Sequence, residues 1–87
     1  MREILDFFSP SCVPCRLLSP VLDEIEKLWH IPIRKVDVCK DPQTAAAYAV
    51  TCVPTIIFIE NKKVVRVQAG NPGAIKIRKL VEAWVAL

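Results

Sequence analysis

A strand-like run, Ile4-Leu-Asp-Phe-Phe8, stops at Ser9-Pro10 and gives way to a helical pattern that begins at or just before Cys12. Proline lacks a donor, and the residue before it is pushed to extended geometry, so the strand must end there. From Cys12 to about Trp29 the apolar residues Leu17, Leu18, Val21, Leu22, Ile25, Leu28 and Trp29 recur at helical spacing, with Asp23, Glu24, Glu26 and Lys27 opposite. Ile33-Arg-Lys-Val-Asp-Val38 then alternates as a second strand. A helix joining two strands makes them parallel, and a parallel pair needs cover on both faces. The chain is thereby committed to an α/β layered fold.

The remaining elements complete that fold. Asp41-Pro42 reads as an N-cap and first helical position for a short alanine-rich helix from Gln43 to about Ala49. Thr55–Ile59 and Val64–Val67, separated by Glu60-Asn-Lys-Lys63, read as an antiparallel hairpin in which Asn61 supplies a positive φ. Asn71 and Pro72 are expected as cap and first position of a last helix, with Ile77, Leu80, Val81, Trp84 and Leu87 on its buried side. The order is βαβ, then α, then ββα. It gives one domain over residues 1–87, a four-stranded mixed sheet with helices on both faces. Pro14 falls in the first turn of the long helix, where no bond is lost; Pro20, deeper in, is expected to kink it near Arg16 and Leu17.

Composition removes several function classes. A net charge of +3 with scattered lysines and arginines argues against a dedicated nucleic-acid binder. No apolar run approaches the ~20 residues of a membrane span, and the opening Met-Arg-Glu has no signal-peptide layout, so a reducing cytoplasm is expected. A disulfide scaffold therefore has no motive for the four cysteines. A zinc site from Cys12, Cys15, Cys39 and Cys52 is disfavoured, because structural zinc usually takes two close pairs and only Cys12 and Cys15 are close. No metal or other cofactor is expected.

The chemistry concentrates at Cys12-Val-Pro-Cys15. Residues three apart share a helix face at a distance a disulfide tolerates, and the unpaired first-turn amides favour a thiolate. Cys12, nearer the helix start, is expected as nucleophile and Cys15, one turn in, as resolving thiol. Pro14 in place of a cation between them leaves the reduced form less stabilised, which favours a reductase over an oxidase. Asp6, flanked by Leu5 and Phe7 in a central strand, is expected to be buried with a raised pKa.

Taken together these residues resemble the thioredoxin family over nearly the whole chain. Asp6-Phe7 followed by Cys12-Val-Pro-Cys15 is similar to the family's buried acid and Cys-Gly-Pro-Cys site; Ser19-Pro-Val-Leu-Asp-Glu-Ile25 matches its kinked helix. Lys35-Val-Asp37 falls where the family has a lysine near the acid, Val53-Pro54-Thr55 resembles its cis-proline segment, and Gly70 its groove-lining glycine. The resemblance implies a thiol–disulfide oxidoreductase that reduces protein disulfides, acts as a monomer and is re-reduced by a thioredoxin-reductase-type donor. It implies that Asp6 exchanges a proton with Cys15, tempered by Lys35. It places Val13, Pro14, Val53, Pro54 and Gly70 at the substrate surface. The family's extra strand and helix before the Asp6 strand have no counterpart in this sequence, so a pared-down form, close in size to a glutaredoxin, is expected. Ser11 stands where the family has tryptophan, and Val13 where it has glycine. Cys52, near the expected docking surface, reads as a small apolar filler ahead of a regulatory thiol; Cys39, at the end of the second strand, reads as structural or a bystander. A glutathione-dependent reductase and a non-catalytic binding module of the same fold are the competing readings. The first lacks the tyrosine-containing site expected of it.

Overall fold

Alternation along the first strand decides which side chains go to which face of the sheet. In the computed structural model, which describes residues 1–87, the elements are β1 (Arg2–Phe8), α1 (Val13–Trp29), β2 (Ile33–Asp37), α2 (Pro42–Ala47), β3 (Thr55–Glu60), β4 (Lys63–Ala69) and α3 (Ala74–Val85). The sheet runs β2-β1-β3-β4, with β1 parallel to β2 and antiparallel to β3, and β3 antiparallel to β4. The four-stranded mixed sheet and three helices are those expected.

Ile4 joins one core with Leu18, Leu22 and Ile25 of α1, Ile56 and Phe58 of β3, and Ile77, Val81 and Trp84 of α3. Leu5 and Phe7 point the other way, into a smaller core with Val36, Ala45, Ile57 and Ile59 under α2. Asp6 follows Ile4 by two and therefore faces α1. The helix α2, only six residues long, leaves Val64 and Val67 of the edge strand β4 half exposed.

Three sequence expectations are corrected by packing. Leu17 and Leu28 are 66% and 70% exposed: at 3.6 residues per turn they lie roughly 80–100° round the helix from Leu18, at the rim of the buried stripe. Leu87 follows the end of α3 at Val85 and is exposed. The last helix starts two residues later than Asn71-Pro72 suggests: Gly73 is the N-cap, and the Asn71 side chain accepts a hydrogen bond from the Gly73 N–H at 2.8 Å. Around Pro20, α1 is one continuous helix. Both Asn61 and Lys62 take positive φ in the β3–β4 hairpin, the pattern that matches the twist of paired strands. A bulge follows, with Ile59 opposite Val64 and Phe58 opposite Arg66, so that Val65 has no partner.

Candidate active site

The β1–α1 junction sets the cysteines apart from each other in exposure. Cys12 is the N-cap of α1, in extended backbone geometry, and Cys15 lies in the first turn. They form a disulfide with their Cα atoms 5.2 Å apart. The Cys15 N–H donates to Cys12 Sγ at 3.2 Å, and an amide so aimed at a sulfur favours its thiolate over its thiol form. Cys15 is only 5% exposed, whereas Cys12 is half-buried and Val13 and Pro14 are exposed.

Beneath the pair lies a cavity of about 190 Å³ whose walls include Asp6, Cys15, Ser19 and Lys35. Asp6 is 4% exposed. Burial pushes its pKa from 3.8 up to about 6, against the opposing pull of the Lys35 charge and with a smaller push from Asp23. Lys35 sits directly opposite Asp6 in the β1–β2 ladder. Its ammonium, however, is on α1: it donates to Ser19 Oγ at 2.8 Å and pairs with Asp23 Oδ1 at 3.1 Å. A larger cavity, about 630 Å³, lies at the other end of the molecule around His30 and Asn61 and contains no cysteine.

Two distant loops complete the rim. The Val53–Pro54 peptide is cis; Pro54 is buried and Val53 half-buried. The Pro54 carbonyl accepts from the Gly70 N–H at 2.7 Å, while the Val53 N–H and carbonyl take no part in the intramolecular backbone hydrogen bonds outside helices and strands. Gly70 has φ +78°, with open space where a side chain would project. Asn71 Nδ2 donates to the Pro14 carbonyl at 3.2 Å. These two bonds tie the first turn of α1 at Pro14 and the loops holding Pro54 and Gly70 into one surface.

The structure brings Asp6, Cys15 and Lys35 to one cavity wall beside Cys12 and joins Pro14, Pro54 and Gly70 through the rim bonds; Val13 is exposed next to Cys12, and Cys52 lies in the same loop as Val53 and Pro54. Cys52 is exposed, so it is not a packed filler. Its carbonyl accepts from Thr55 Oγ1 at 2.7 Å, and its sulfur lies 3.7 Å from the same oxygen. Cys39, also exposed, lies just beyond β2, where its N–H donates to Asp37 Oδ1. No group of three or more His, Cys, Asp or Glu side chains is arranged to hold a metal ion. Sequence reading missed Ser19, Asp23 and Asn71 as parts of the site. The first two fall four apart on α1, a visible spacing, but only the sheet register brings Lys35 to them. Asn71 has an acceptor and a donor in use, and nothing local to its sequence points to Pro14.

The family model for thioredoxin matches residues 2–83. Among curated proteins, thioredoxin from Chlamydia trachomatis is 35% identical over 79 residues, covering 90% of this chain and 78% of that protein. Thioredoxin from Bacillus subtilis is 31% identical over 80 residues, covering 90% and 77%. The solved structure of Fasciola hepatica thioredoxin superposes with a TM-score of 0.86 at 32% identity, covering 94% of this chain and 79% of that one. A point mutant of thioredoxin from Halobacterium salinarum gives 0.88 at 27% identity, with 94% and 73% covered. The chain belongs to the thioredoxin family. It is a thiol–disulfide oxidoreductase with a redox-active cysteine pair. No helix is long and apolar enough to cross a membrane.

Proposed function

We propose that this protein reduces disulfides of protein substrates through Cys12 and Cys15, with Asp6 as the proton acceptor for Cys15. The observation that carries this reading is the division of the pair. One sulfur is accessible at a helix N-cap, and the other is buried over a carboxyl whose pKa is about 6.

In the reduced protein the Cys12 thiolate attacks one sulfur of the substrate disulfide. A Cys12–substrate bond forms, and the other substrate sulfur leaves as a thiolate that takes a proton from solvent. Cys15 then gives its proton to the Asp6 carboxylate and attacks Cys12 Sγ. This forms the Cys12–Cys15 disulfide and expels the second substrate thiolate. Two electrons have passed from the dithiol to the substrate. Most Asp6 side chains are ionised at pH 7 with a pKa about 6, yet basic enough to take a thiol proton. A donor of the thioredoxin-reductase type returns the electrons.

Substrate is recognised as an extended segment pairing with the free Val53 backbone groups, flanked by Val13, Pro14, Pro54 and Gly70. The exposed Val13, with Ser11 in place of an aromatic flank, favours aliphatic residues beside the scissile disulfide. The protein acts as a monomer in a reducing compartment, without a metal or organic cofactor.

Insulin reduction driven by dithiothreitol tests the assignment. Cys12→Ser should abolish activity, and Cys15→Ser should stall as a mixed disulfide on Cys12 that can be isolated and its partner sequenced. Full activity of Cys12→Ser would refute the role given to that sulfur.

A further inference from the structure

Cys15, Ser19 and Asp23 are spaced one helical turn apart, so they form a single row along α1. The row runs from the buried thiol, past the cavity over Asp6, to the ammonium of Lys35. Lys35 stands directly opposite Asp6 across the parallel ladder, and residues so paired point to the same face of a sheet. Yet Asp6 takes part in none of the ion pairs of the protein; Lys35 Nζ is 2.8 Å from Ser19 Oγ and 3.1 Å from Asp23 Oδ1.

We propose that Ser19 and Asp23 are positioning residues for the buried acid: they clamp the Lys35 ammonium onto α1, so that its charge is divided between two carboxylates and is withheld from a direct pair with Asp6. The inference rests on the reading of Asp6 as the proton acceptor for Cys15, and it adds what sets the basicity of that acceptor.

The physical need for a clamp follows from the lysine itself. A lysine ammonium is a point charge on a flexible four-carbon stem. Released from α1, it is free to turn toward Asp6, its direct opposite on this face of the sheet. A close ion pair lowers a carboxyl pKa, and a carboxylate so stabilised is a poorer base. The charged and titratable groups facing Asp6 are few. From α1 they are Cys15, Arg16 at the cavity wall and Asp23; from β2, Lys35. Its opposite residue in β3 is the apolar Ile56, so no third charge from that strand competes. Ser19 adds what a carboxylate alone lacks: a fixed acceptor deeper along the row, which keeps the ammonium near the cavity mouth when salt screens the exposed pair with Asp23.

The carboxyl carbon of Asp6, followed by NMR through a pH titration of the oxidised protein, tests the clamp. Asp23→Asn should lower the Asp6 pKa and Lys35→Met should raise it. With Lys35→Met already in place, Asp23→Asn should have much less effect, because there is no lysine left to release. Ser19→Ala should also lower the Asp6 pKa, and Ser19→Thr, which keeps the hydroxyl, should restore it. An Asp23→Asn shift of equal size with and without Lys35 overturns the proposal, since Asp23 would then act only by its own distant charge. An unmoved Asp6 in Ser19→Ala removes Ser19 from it.

The underlying reading is separated by kinetics. The rate at which Cys15 releases substrate from the mixed disulfide should have its acid limb at lower pH, and a lower plateau, in Asp23→Asn. If the titration moves and the rate profile does not, the clamp stands and the role of Asp6 as proton acceptor fails.

Discussion

Asp6, buried at 4% exposure, carries in the proposed mechanism a charge that costs the fold stability. Its folded pKa, about 6 against 3.8, is raised, so the folded protein holds a proton that the unfolded chain releases between those two values. Stability therefore falls as pH rises through that window, and the full cost is present above it. At 1.36 kcal/mol per pH unit the cost is about 3 kcal/mol, a large share of what a domain this small commands. Asp6→Asn keeps the shape without the charge. Urea denaturation at pH 8 should find the variant more stable by about 2–3 kcal/mol. The gain should vanish below about pH 4, where both carboxyl states are protonated. The same substitution should slow disulfide exchange by up to about 10²-fold, the lower end of what a positioned base contributes. A stabilised and fully active variant would show that the buried charge serves no step of the reaction.

Elements matter here chiefly through their ends. Helix α1 has its functional sulfurs at its start, where the amides are unpaired, and a buried stripe of Leu18, Leu22 and Ile25 that fixes its roll against the sheet. That roll is what turns Cys15 inward and leaves Val13 outward. The helix α3 is capped at its start by Gly73, whose φ of 94° and ψ of 157° belong to a region almost closed to residues with a Cβ. No atom lies within 4 Å of the point to which a Cβ would project there, so the restriction is one of backbone and not of space. Gly73→Ala should cost about 1–3 kcal/mol, read as a lowered denaturation midpoint with unchanged slope. Because Gly73 also donates to Asn71, which holds Pro14, the variant should in addition weaken substrate affinity. The sequence shows Asn71-Pro72 as a cap and first position, and on local rules that is sound. The chain does otherwise because Asn71 is engaged by Pro14 in the first turn of α1, 57 residues away, which no local rule contains.

At the scale of the whole molecule, a single sheet divides two cores that share no residue, ten buried side chains on the α1–α3 face and six under α2. Phe58 is fully buried in the larger one and stacks at 4.9 Å on Trp84. Phe58→Ala should cost about 3–5 kcal/mol and lower the melting temperature by more than about 10 °C, at roughly 4–8 °C per kcal/mol in a domain of this size. Calorimetry checks it. A small loss would mean that the α1–α3 face collapses around the cavity, and that the site above Asp6 is less rigidly supported than its geometry implies.

What the amino-acid order determines by itself is whatever depends on near neighbours and on period. The strand–helix hand-over at Ser9-Pro10, the placement of Cys12 and Cys15 on one helix face, the parallel β-α-β unit and the apolar flanks that mark the strand of Asp6 as a buried one are all of that kind. What only the tertiary structure decides is which partners meet across the sheet and between loops. Lys35 reaches Ser19 and Asp23 because β2 pairs with β1 in one register. Pro54 meets Gly70, and Asn71 meets Pro14, because β3 and β4 return both loops to the end of β1. Leu17 and Leu28 stay in water because the sheet covers less of α1 than its apolar spacing offers. Such pairings join residues far apart in the chain, and their closeness is set by the packing of two cores, a property no short window of sequence carries.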